Sequence, residues 1–174
     1  GNVLDYLVAP ARLEVSLLAE ARRLAVSTIK KMQGKGIFGV EMFLTPRGEL
    51  LINEISPRTH NSGHYTTEAC QTSQFVQQLN ILSGKPLGST DQIRPAVMFN
   101  LLGAEGFDGD TVVEGADQAT NDPSVWVHLY GKNRCFPGRK MGHVTVMADT
   151  VDEALEKVDT IRPQLNVRGA KPID

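Results

Sequence analysis

Residues 37–64 combine a β-hairpin signal that carries two carboxylates with a polar loop that follows it directly. Two apolar, β-prone segments, residues 37–45 and 49–55, are separated by a Pro-Arg-Gly turn. The first segment contains Glu41 and the second contains Glu54. Segments this apolar are expected to bury both faces, where an ionised carboxylate is rarely tolerated unless it is paired or bound to a cation. The two acids are therefore the first candidates for a functional site.

The length of the turn decides which hairpin residues face each other, because side chains alternate between the two faces of a strand. A loop of two or four residues places Glu41 opposite Glu54. A loop of three residues places Glu41 opposite Asn53 and sends Glu54 to the other face. We favour the first register, since two adjacent acids are best explained by shared cations. In that register, the face of the two acids also holds Gly39, Phe43, Leu50 and Ile52.

Opposed carboxylates beside apolar side chains suit magnesium ions that bridge the phosphates of a nucleotide whose base lies on the apolar floor. The alternative is that Glu41 and Glu54 each form a salt bridge with a nearby Lys or Arg. The pattern alone supports the two interpretations equally.

The loop after Glu54 is rich in side chains that can donate hydrogen bonds to oxyanions. These side chains are Arg58, His60, Asn61, Ser62 and His64. An ordinary polar surface loop, with turns set by Pro57 and Gly63, is the alternative. The position of the loop beside the carboxylate hairpin favours a functional role. A second candidate is the basic segment 132–140, which on its own is more typical of a solvated hairpin turn.

Composition limits the class of protein. The chain has 174 residues, 41% hydrophobic content and a net charge of −2, which allows a real core and argues against nucleic-acid or membrane-surface binding. Its two cysteines, Cys70 and Cys135, lie far apart and form no metal motif, which favours a reducing compartment such as the cytoplasm. No apolar run approaches the length of a membrane span.

Periodicity predicts an α+β protein with a boundary near residue 92. In the first part we expect a helix over residues 13–33, the hairpin, and a second helix that starts at a Thr72-Ser73 cap and ends at Gly84. The second helix is expected to bury Phe75, Val76, Leu79 and Leu82.

The second part is expected to be rich in β-strands. Strand-like runs cover residues 96–102, 125–130 and 143–147, and a last helix over 151–161 should turn Ala154, Leu155, Val158 and Ile161 inward. We read the acid-rich segment 104–124 as an exposed loop, and Trp126 and Tyr130 as core residues.

A collinear series of motifs resembles the N5-carboxyaminoimidazole ribonucleotide synthase family, the ATPase subunit of phosphoribosylaminoimidazole carboxylase, within the ATP-grasp superfamily. The motifs are Val40-Glu41, Asn53-Glu54-Ile55, Pro57-Arg58, residues 60–64, 66–75, 84–88, 100–103, 129–132 and 138–143. The resemblance implies that residues 1–92 are the carboxy-terminal half of an ATP-grasp domain, a mostly antiparallel sheet packed by helices. Residues 93–174 would form a small barrel-like or sandwich-like domain. The family's amino-terminal domain and lid-like subdomain are expected to be missing, since the chain opens without Met inside what resembles the second half.

The resemblance also implies an activity, which is ATP-dependent carboxylation of N5 of aminoimidazole ribonucleotide by bicarbonate, through carboxyphosphate, in de novo purine biosynthesis. Glu41 and Glu54 would bind Mg²⁺ and ATP. Asn53 would flank the nucleotide, and a local bulge would reconcile this role with the favoured register. Arg58 would stabilise charge during carboxylation, and His60 and Asn61 would contact the imidazole. Ser56 and Thr59 stand where the family more often has Ala and Pro.

In the basic segment, the resemblance implies that Lys132 and Arg139 grip the 5′-phosphate of the ribonucleotide and that Lys140 assists. An apparent insertion of one residue in 134–137 leaves open whether Arg139 or Lys140 is the partner. The expected partners are the two substrates, the amino-terminal half of the enzyme and a second copy in a homodimer. Residues 1–174 alone are expected to be inactive.

Two other functions remain in view. A biotin-dependent carboxylase of the same superfamily is disfavoured by the loop from His60 to His64. A non-catalytic module, retained for dimerisation or for docking a partner mutase, would not need the acids, the Arg58 loop and the Lys132 cluster together.

Overall fold

The chain folds into two compact units in a computed structural model that describes residues 4–173. Residues 11–92 form one unit, and residues 93–173 form the other together with the described residues up to Pro10. The first strand, β1 (Tyr6–Ala9), belongs to the second unit because it pairs there with a later strand. The predicted division into 1–92 and 93–174 assigned this strand to the first part, whereas the structure places it in the second unit.

The unit of residues 11–92 is built from helices around one antiparallel hairpin. Its elements are α1 (Val15–Lys31), β2 (Gly39–Leu44), β3 (Leu50–Ser56), a 3₁₀ turn (Asn61–Gly63), α2 (Thr66–Ala69) and α3 (Gln74–Leu82). The long helix and the hairpin lie where the sequence predicts them. The expectation that the hairpin buries both faces is wrong, since Ser56 is the one buried residue of its two strands.

Helix α3 starts and ends for the predicted reasons. The Ser73 hydroxyl accepts a hydrogen bond from the backbone N–H of Val76, and Gly84 adopts a φ of 67° after the last turn. The predicted burial of its apolar residues is wrong. Phe75, Val76, Leu79 and Leu82 are 40–73% exposed, and Gln77 is the buried residue of this helix. A two-stranded sheet offers too little surface to cover the helices around it.

The second unit contains two antiparallel sheets. Its further elements are β4 (Ala96–Leu102), β5 (Phe107–Glu114), α4 (Ala116–Ala119), β6 (Val125–Leu129), β7 (Arg134–Cys135), β8 (Lys140–Met147), α5 (Val151–Ile161) and β9 (Asn166–Pro172). The strand orders are β1-β4-β8-β6 and β7-β5-β9. Neither sheet closes into a barrel, so the barrel-like expectation is wrong within residues 4–173.

One hydrophobic core joins both sheets and α5. Its members include Val97, Phe99, Val125, Cys135, Val144, Val146, Ala154, Val158, Ile161 and Val167. The predicted last helix and its inward residues are confirmed, with Leu155 packed at the margin of this core. Tyr130, which was expected in the core, is 37% exposed, and Trp126 is half-buried.

The predicted exposed loop over residues 104–124 is wrong, because β5 and α4 occupy most of it. Partners from distant segments hold its acids. Arg134 binds Asp108 through two nitrogens at 2.6 and 2.9 Å, and this hydrogen bonding lowers the pKa of Asp108. Asn166 and Arg168 likewise lower the pKa of Glu114. Cross-strand pairing therefore permits an acidic segment to form a strand.

Asp122 makes the stability of the second unit pH-dependent. Its carboxylate accepts hydrogen bonds from Lys157 Nζ at 2.8 Å and from the Ser124 N–H and hydroxyl at 2.8 and 2.6 Å. These bonds, that of Lys157 first, lower the pKa of Asp122 from 3.8 to about 2. A carboxyl with a lowered folded-state pKa stabilises the fold above pH 4, and that stabilisation is lost as the pH falls from about 4 to 2.

We expect Asp122→Asn to lower the free energy of unfolding at pH 7 by about 1 kcal/mol, a value that allows for the partial exposure of the pair. The difference between the two proteins should shrink between pH 4 and pH 2. Urea unfolding followed by the fluorescence of Trp126, the single tryptophan, measures both quantities. Glu105→Gln, at an exposed acid of the same unit, is the control, and an equal loss in both variants would contradict the assignment.

Candidate active site

The hairpin closes with a three-residue loop. Leu44 pairs with Leu50, and the N–H of Thr45 donates to the carbonyl of Glu49 at 2.9 Å, which leaves Pro46, Arg47 and Gly48 as the loop. Gly48 has a φ of 81°, a conformation that glycine adopts without strain. The expectation of a two- or four-residue loop is therefore wrong.

A β-bulge nevertheless brings the two acids together. Met42 pairs with Ile52, but the next pair is Glu41 with Glu54, so that Asn53 is an extra residue on β3. A bulge of this kind sets two residues of one strand against one residue of the other. The predicted pairing of Glu41 with Glu54 is confirmed, and the bulge that was expected to bring Asn53 to the same face is present.

The three-residue loop also changes the apolar floor of this face. Phe43 lies opposite Leu51, whereas Leu50 and Ile52 pair with residues of the other face, so the expected placement of Leu50 and Ile52 is wrong. Phe43 and Leu51 are 59% and 52% exposed. The face of the two acids therefore carries an open apolar surface.

Amide and hydroxyl donors, and no Lys or Arg of the described residues, hold the two carboxylates. Asn53 Nδ2 lies 3.3 Å from Glu41 Oε2, and the buried Ser56 hydroxyl donates to Glu54 Oε1 at 2.8 Å. Neither carboxylate forms an ion pair with a Lys or Arg among residues 4–173. The salt-bridge interpretation of the two acids therefore has no partner in the described part of the chain.

The donor set fits a magnesium ion. Mg²⁺ prefers carboxylate oxygens, takes one or two of them, and fills its other positions with water and phosphate oxygens. Glu41 and Glu54 are adjacent and solvent-accessible, and no Lys or Arg within the described part of the chain neutralises them. The described residues contain no group of three or more His, Cys, Asp or Glu that could form an all-protein metal cage. A cation bound here would therefore be shared with a second, oxygen-rich ligand.

The polar loop packs directly against the hairpin. His60 Nε2 lies 3.5 Å from Glu41 Oε1, and the side chain of His60 is 14% exposed. A Cβ atom at Gly39 would lie 2.7 Å from Cβ of His60, so the strand needs glycine at this position for the loop to approach. The loop and the carboxylates thus form one continuous surface.

Within the loop, the candidate residues differ in how many hydrogen bonds fix their side chains. Arg58 is exposed, and its guanidinium donates one hydrogen bond within the described residues, to the carbonyl of Thr59 at 3.0 Å. The Asn61 Nδ2 atom is buried and has no hydrogen-bond partner among the described residues. His60 Nδ1 lies 2.8 Å from the Ser62 hydroxyl. Arg58 and Asn61 therefore retain donors that protein groups do not use.

The basic segment 132–140 belongs to the second unit. Lys132 Nζ donates to the carbonyl of Lys140 at 2.5 Å, and the Arg139 guanidinium donates to the carbonyl of Arg134 at 2.6 Å. Arg139 lies over the ring of Phe136 at 5.1 Å, next to a turn in which Gly138 has a φ of 72°. Neither Lys132 nor Arg139 is paired with a carboxylate among residues 4–173, whereas Arg134 is neutralised by Asp108.

One residue that contacts the loop was missed in the sequence. Gln74, in the first turn of α3, makes hydrogen bonds to His60 and His64. A glutamine after a helix cap carries no signal that would reveal these contacts, which join residues at least ten positions apart.

No helix within residues 4–173 is both long enough and apolar enough to cross a bilayer.

Comparisons with known proteins agree with the geometry. The ATP-grasp domain model matches residues 1–75, and the model of the phosphoribosylaminoimidazole carboxylase C-terminal domain matches residues 96–157. The N5-carboxyaminoimidazole ribonucleotide synthase of Bacillus subtilis is 42% identical over 91% of this chain and 40% of its own length. The phosphoribosylaminoimidazole carboxylase of Schizosaccharomyces pombe is 44% identical over 87% of this chain and 28% of its own length.

Solved structures show the same relationship. The N5-carboxyaminoimidazole ribonucleotide synthetase of Thermotoga maritima superimposes with a TM-score of 0.90 at 48% identity, over 94% of this chain and 46% of that one. An Aspergillus clavatus N5-carboxyaminoimidazole synthase in complex with ADP and 5-aminoimidazole ribonucleotide gives a TM-score of 0.83 at 35% identity, over 93% of this chain and 44% of that one. The α+β fold and the resemblance found in the sequence are confirmed. The chain, which spans less than half the length of these relatives, belongs to the N5-carboxyaminoimidazole ribonucleotide synthase family of ATP-grasp enzymes.

Proposed function

We propose that this chain supplies the carboxy-terminal portion of an ATP-dependent carbon–nitrogen ligase of purine biosynthesis. The enzyme carboxylates N5 of 5-aminoimidazole ribonucleotide with bicarbonate, and ATP activates the bicarbonate as carboxyphosphate. The observation that carries this proposal is the Glu41–Glu54 pair, which no Lys or Arg among residues 4–173 neutralises and which borders the polar loop. The names of the relatives support the same activity.

The chain spans about two fifths of the length of the Bacillus relative. We therefore assign the activity to this chain combined with the amino-terminal portion that the relatives carry, and we call that combination the full-length enzyme. We place it in the cytoplasm as a homodimer. The two buried, unpaired cysteines support a reducing compartment, and the exposed apolar side chains of α3 support association with further protein surface.

At the hairpin, Glu41 and Glu54 would hold Mg²⁺, with Asn53 beside the nucleotide. The ion would supply positive charge to the phosphate oxygens during phosphoryl transfer. Phe43 and Leu51 would provide an apolar surface for the adenine ring. Asn53 orients Glu41 through its amide, and Ser56 orients Glu54 through its hydroxyl, so both carboxylates are positioned before the ligand binds.

At the loop, Arg58, His60 and Asn61 would contact bicarbonate and the imidazole. The exposed guanidinium of Arg58 can approach a negative charge that develops during carboxyl transfer. The buried Nδ2 of Asn61 lacks a partner among the described residues, which suits a donor reserved for substrate. His60 lies against Glu41 and so connects the substrate contacts with the cation site.

In the second unit, Lys132 and Arg139 would bind the 5′-phosphate, with Lys140 assisting. The cationic groups of Lys132 and Arg139 each donate to a backbone carbonyl of the same segment, and neither is paired with a carboxylate of the described residues. Convergent Lys and Arg side chains are the usual means of phosphate recognition.

The phosphate assignment predicts a specific kinetic effect in the full-length enzyme. Lys132→Ala and Arg139→Ala should each raise the KM for the ribonucleotide about 10- to 100-fold and change the KM for ATP by less than about twofold. A phosphate contact remote from the reacting nitrogen contributes mainly uniform binding. Steady-state kinetics with each substrate varied in turn measure both constants.

Arg134→Ala is the matched control, since it removes an arginine of the same segment that Asp108 already neutralises. It should leave both KM values nearly unchanged. Arg58→Ala should instead lower kcat, because it acts where charge develops. Equal losses for ATP and ribonucleotide in the Lys132 variant would mean that the basic segment is only a surface turn.

A further inference from the structure

We propose that Gln74 is a positioning residue that holds the substrate loop, and His60 in particular, in its binding geometry. The position of Gln74 in the sequence does not by itself indicate a functional role. The inference rests on the proposed function, because it assumes that His60 contacts the ribonucleotide.

The side-chain amide of Gln74 forms two hydrogen bonds with the backbone of His60, and these two bonds together are the Gln74 clasp. Oε1 accepts a hydrogen bond from the His60 N–H at 2.8 Å, and Nε2 donates to the His60 carbonyl at 2.8 Å. The N–H of His60 can only donate, so it fixes which end of the amide is the oxygen. The backbone N–H and carbonyl of one loop residue are thereby held by a side chain fourteen positions away.

The second hydrogen of the Gln74 amide points to a histidine ring. Nε2 lies 2.9 Å from Nδ1 of His64. Because the Gln74 amide nitrogen cannot accept a hydrogen bond, His64 Nδ1 must be the acceptor. The proton of a neutral His64 ring must then lie on the other ring nitrogen, His64 Nε2. One side chain therefore uses its full donor capacity on both ends of the segment from His60 to His64.

The position of Gln74 is itself fixed. Its backbone N–H donates to Thr66 Oγ1 at 3.0 Å, and the Thr66 hydroxyl donates to the carbonyl of Gly63 at 2.5 Å. A Cβ atom at Gly63 would lie 2.5 Å from Gln74 Oε1, so the loop approaches the amide as closely as glycine permits. Ser73 caps the same helix. The amide thus has little freedom to turn away from the loop.

The clasp determines where the ring of His60 lies. With its backbone N–H and carbonyl held, His60 places Nε2 3.5 Å from Glu41 Oε1, beside the proposed cation site. Asn61 and Ser62 follow directly in the chain. Loss of the clasp should therefore displace the ribonucleotide contacts and leave the hairpin and its acids in place.

The same helix contains a matched control. Gln77, one turn further along α3, clasps the backbone of Gly88 in the same way, with Oε1 accepting from the N–H at 3.1 Å and Nε2 donating to the carbonyl at 2.7 Å. Gly88 lies in a segment with no proposed contact to substrate. Gln→Met at either position keeps the length of the side chain and removes the hydrogen bonds of the amide, three at Gln74 and two at Gln77.

The experiment compares Gln74→Met, Gln74→Glu, Gln77→Met and His60→Ala in the full-length enzyme. We expect Gln74→Met to raise the KM for the ribonucleotide about 10- to 100-fold and to change the KM for ATP by less than about twofold. Gln74→Glu keeps the acceptor for the His60 N–H and loses the donor, so it should give a smaller loss of the same kind. Gln77→Met should leave both KM values within about twofold of the parent, whatever its effect on thermal stability.

A spectroscopic measurement is independent of turnover. In the parent enzyme, the ¹⁵N signal of His64 Nδ1 should be that of an unprotonated, hydrogen-bonded acceptor, and Gln74→Met should shift it while Gln77→Met does not. This measurement and Gln74→Glu keep the inference testable if Gln74→Met folds poorly.

The outcomes separate the inference from the function on which it rests. If His60→Ala raises the KM for the ribonucleotide but both Gln74 variants behave like Gln77→Met, the positioning role is wrong and the proposed function stands. If His60→Ala itself leaves that KM unchanged, the substrate role of the loop is wrong, and the inference is overturned with it.

Discussion

Glu54→Gln is expected to lower the turnover of the full-length enzyme by about 10²- to 10³-fold, a loss of ~3–4 kcal/mol of transition-state stabilisation. The substitution removes a charge and almost no volume. Because Glu54 is exposed, the substitution should leave the fold of the protein unaffected. In the proposed cation site, two carboxylates would supply the negative charge, and removing one would weaken the hold on the ion and on the phosphates it would neutralise.

Glu41→Gln should reduce turnover to a similar degree and also raise the Mg²⁺ concentration needed for half-maximal rate. Titration of activity with Mg²⁺, and of Mn²⁺ binding by electron paramagnetic resonance, measures the two effects separately. Glu49→Gln changes an exposed acid at the turn of the same hairpin and should behave like the parent enzyme. Near-normal rates in both the Glu41 and Glu54 variants would show that the acids are structural.

The second large effect is expected for residues 1–174 on their own, which should show negligible ATPase and carboxylase activity. The family resemblance implies that the nucleotide is held between two subdomains, and the acids and apolar floor of the hairpin would form one side of the proposed site. Phe43 and Leu51 are 59% and 52% exposed, and this open floor would not exclude water from a reactive phosphate.

The measurement is ADP release by the purified chain with and without bicarbonate and ribonucleotide. The full-length enzyme at the same concentration is the reference, and its Glu54→Gln variant gives the background rate. Robust ADP release from residues 1–174 that depends on both substrates would contradict the requirement for a second subdomain.

The hairpin shows how far sequence reasoning extends. The pairing of Glu41 with Glu54 was predicted correctly from a loop length that is wrong, because the bulge at Asn53 compensates for the odd-numbered loop. Alternation of apolar residues indicates that strands exist, but it does not reveal a single extra residue. Register therefore required the structure.

Long-range pairing explains the missed strand β5. Its acids looked like those of a solvated loop, but Arg134 and Arg168 neutralise two of them from 26 and 54 positions away. The wrong burial predicted for α3 has a different reason. Its apolar spacing correctly indicated a helix, but spacing does not reveal whether another element covers the apolar face. The candidate site residues came from motifs, whereas Gln74 was found through its contacts.

The bulge at Asn53 ties the composition of this face to the length of the turn. A regular strand offers a given face only every second side chain, so a hairpin with one more residue in its loop could oppose the same two acids while its neighbouring amide pointed away. Here the three-residue loop and the extra strand residue together keep Glu41 opposite Glu54, and they also bring the amide of Asn53 to Glu41. Two consecutive residues, an amide and a carboxylate, oppose a single glutamate. Deletion of Asn53 alone would make the ladder regular and leave Glu41 opposite Glu54 across the same three-residue loop. It would preserve the charge of the site while removing its only amide donor to Glu41 among the described residues.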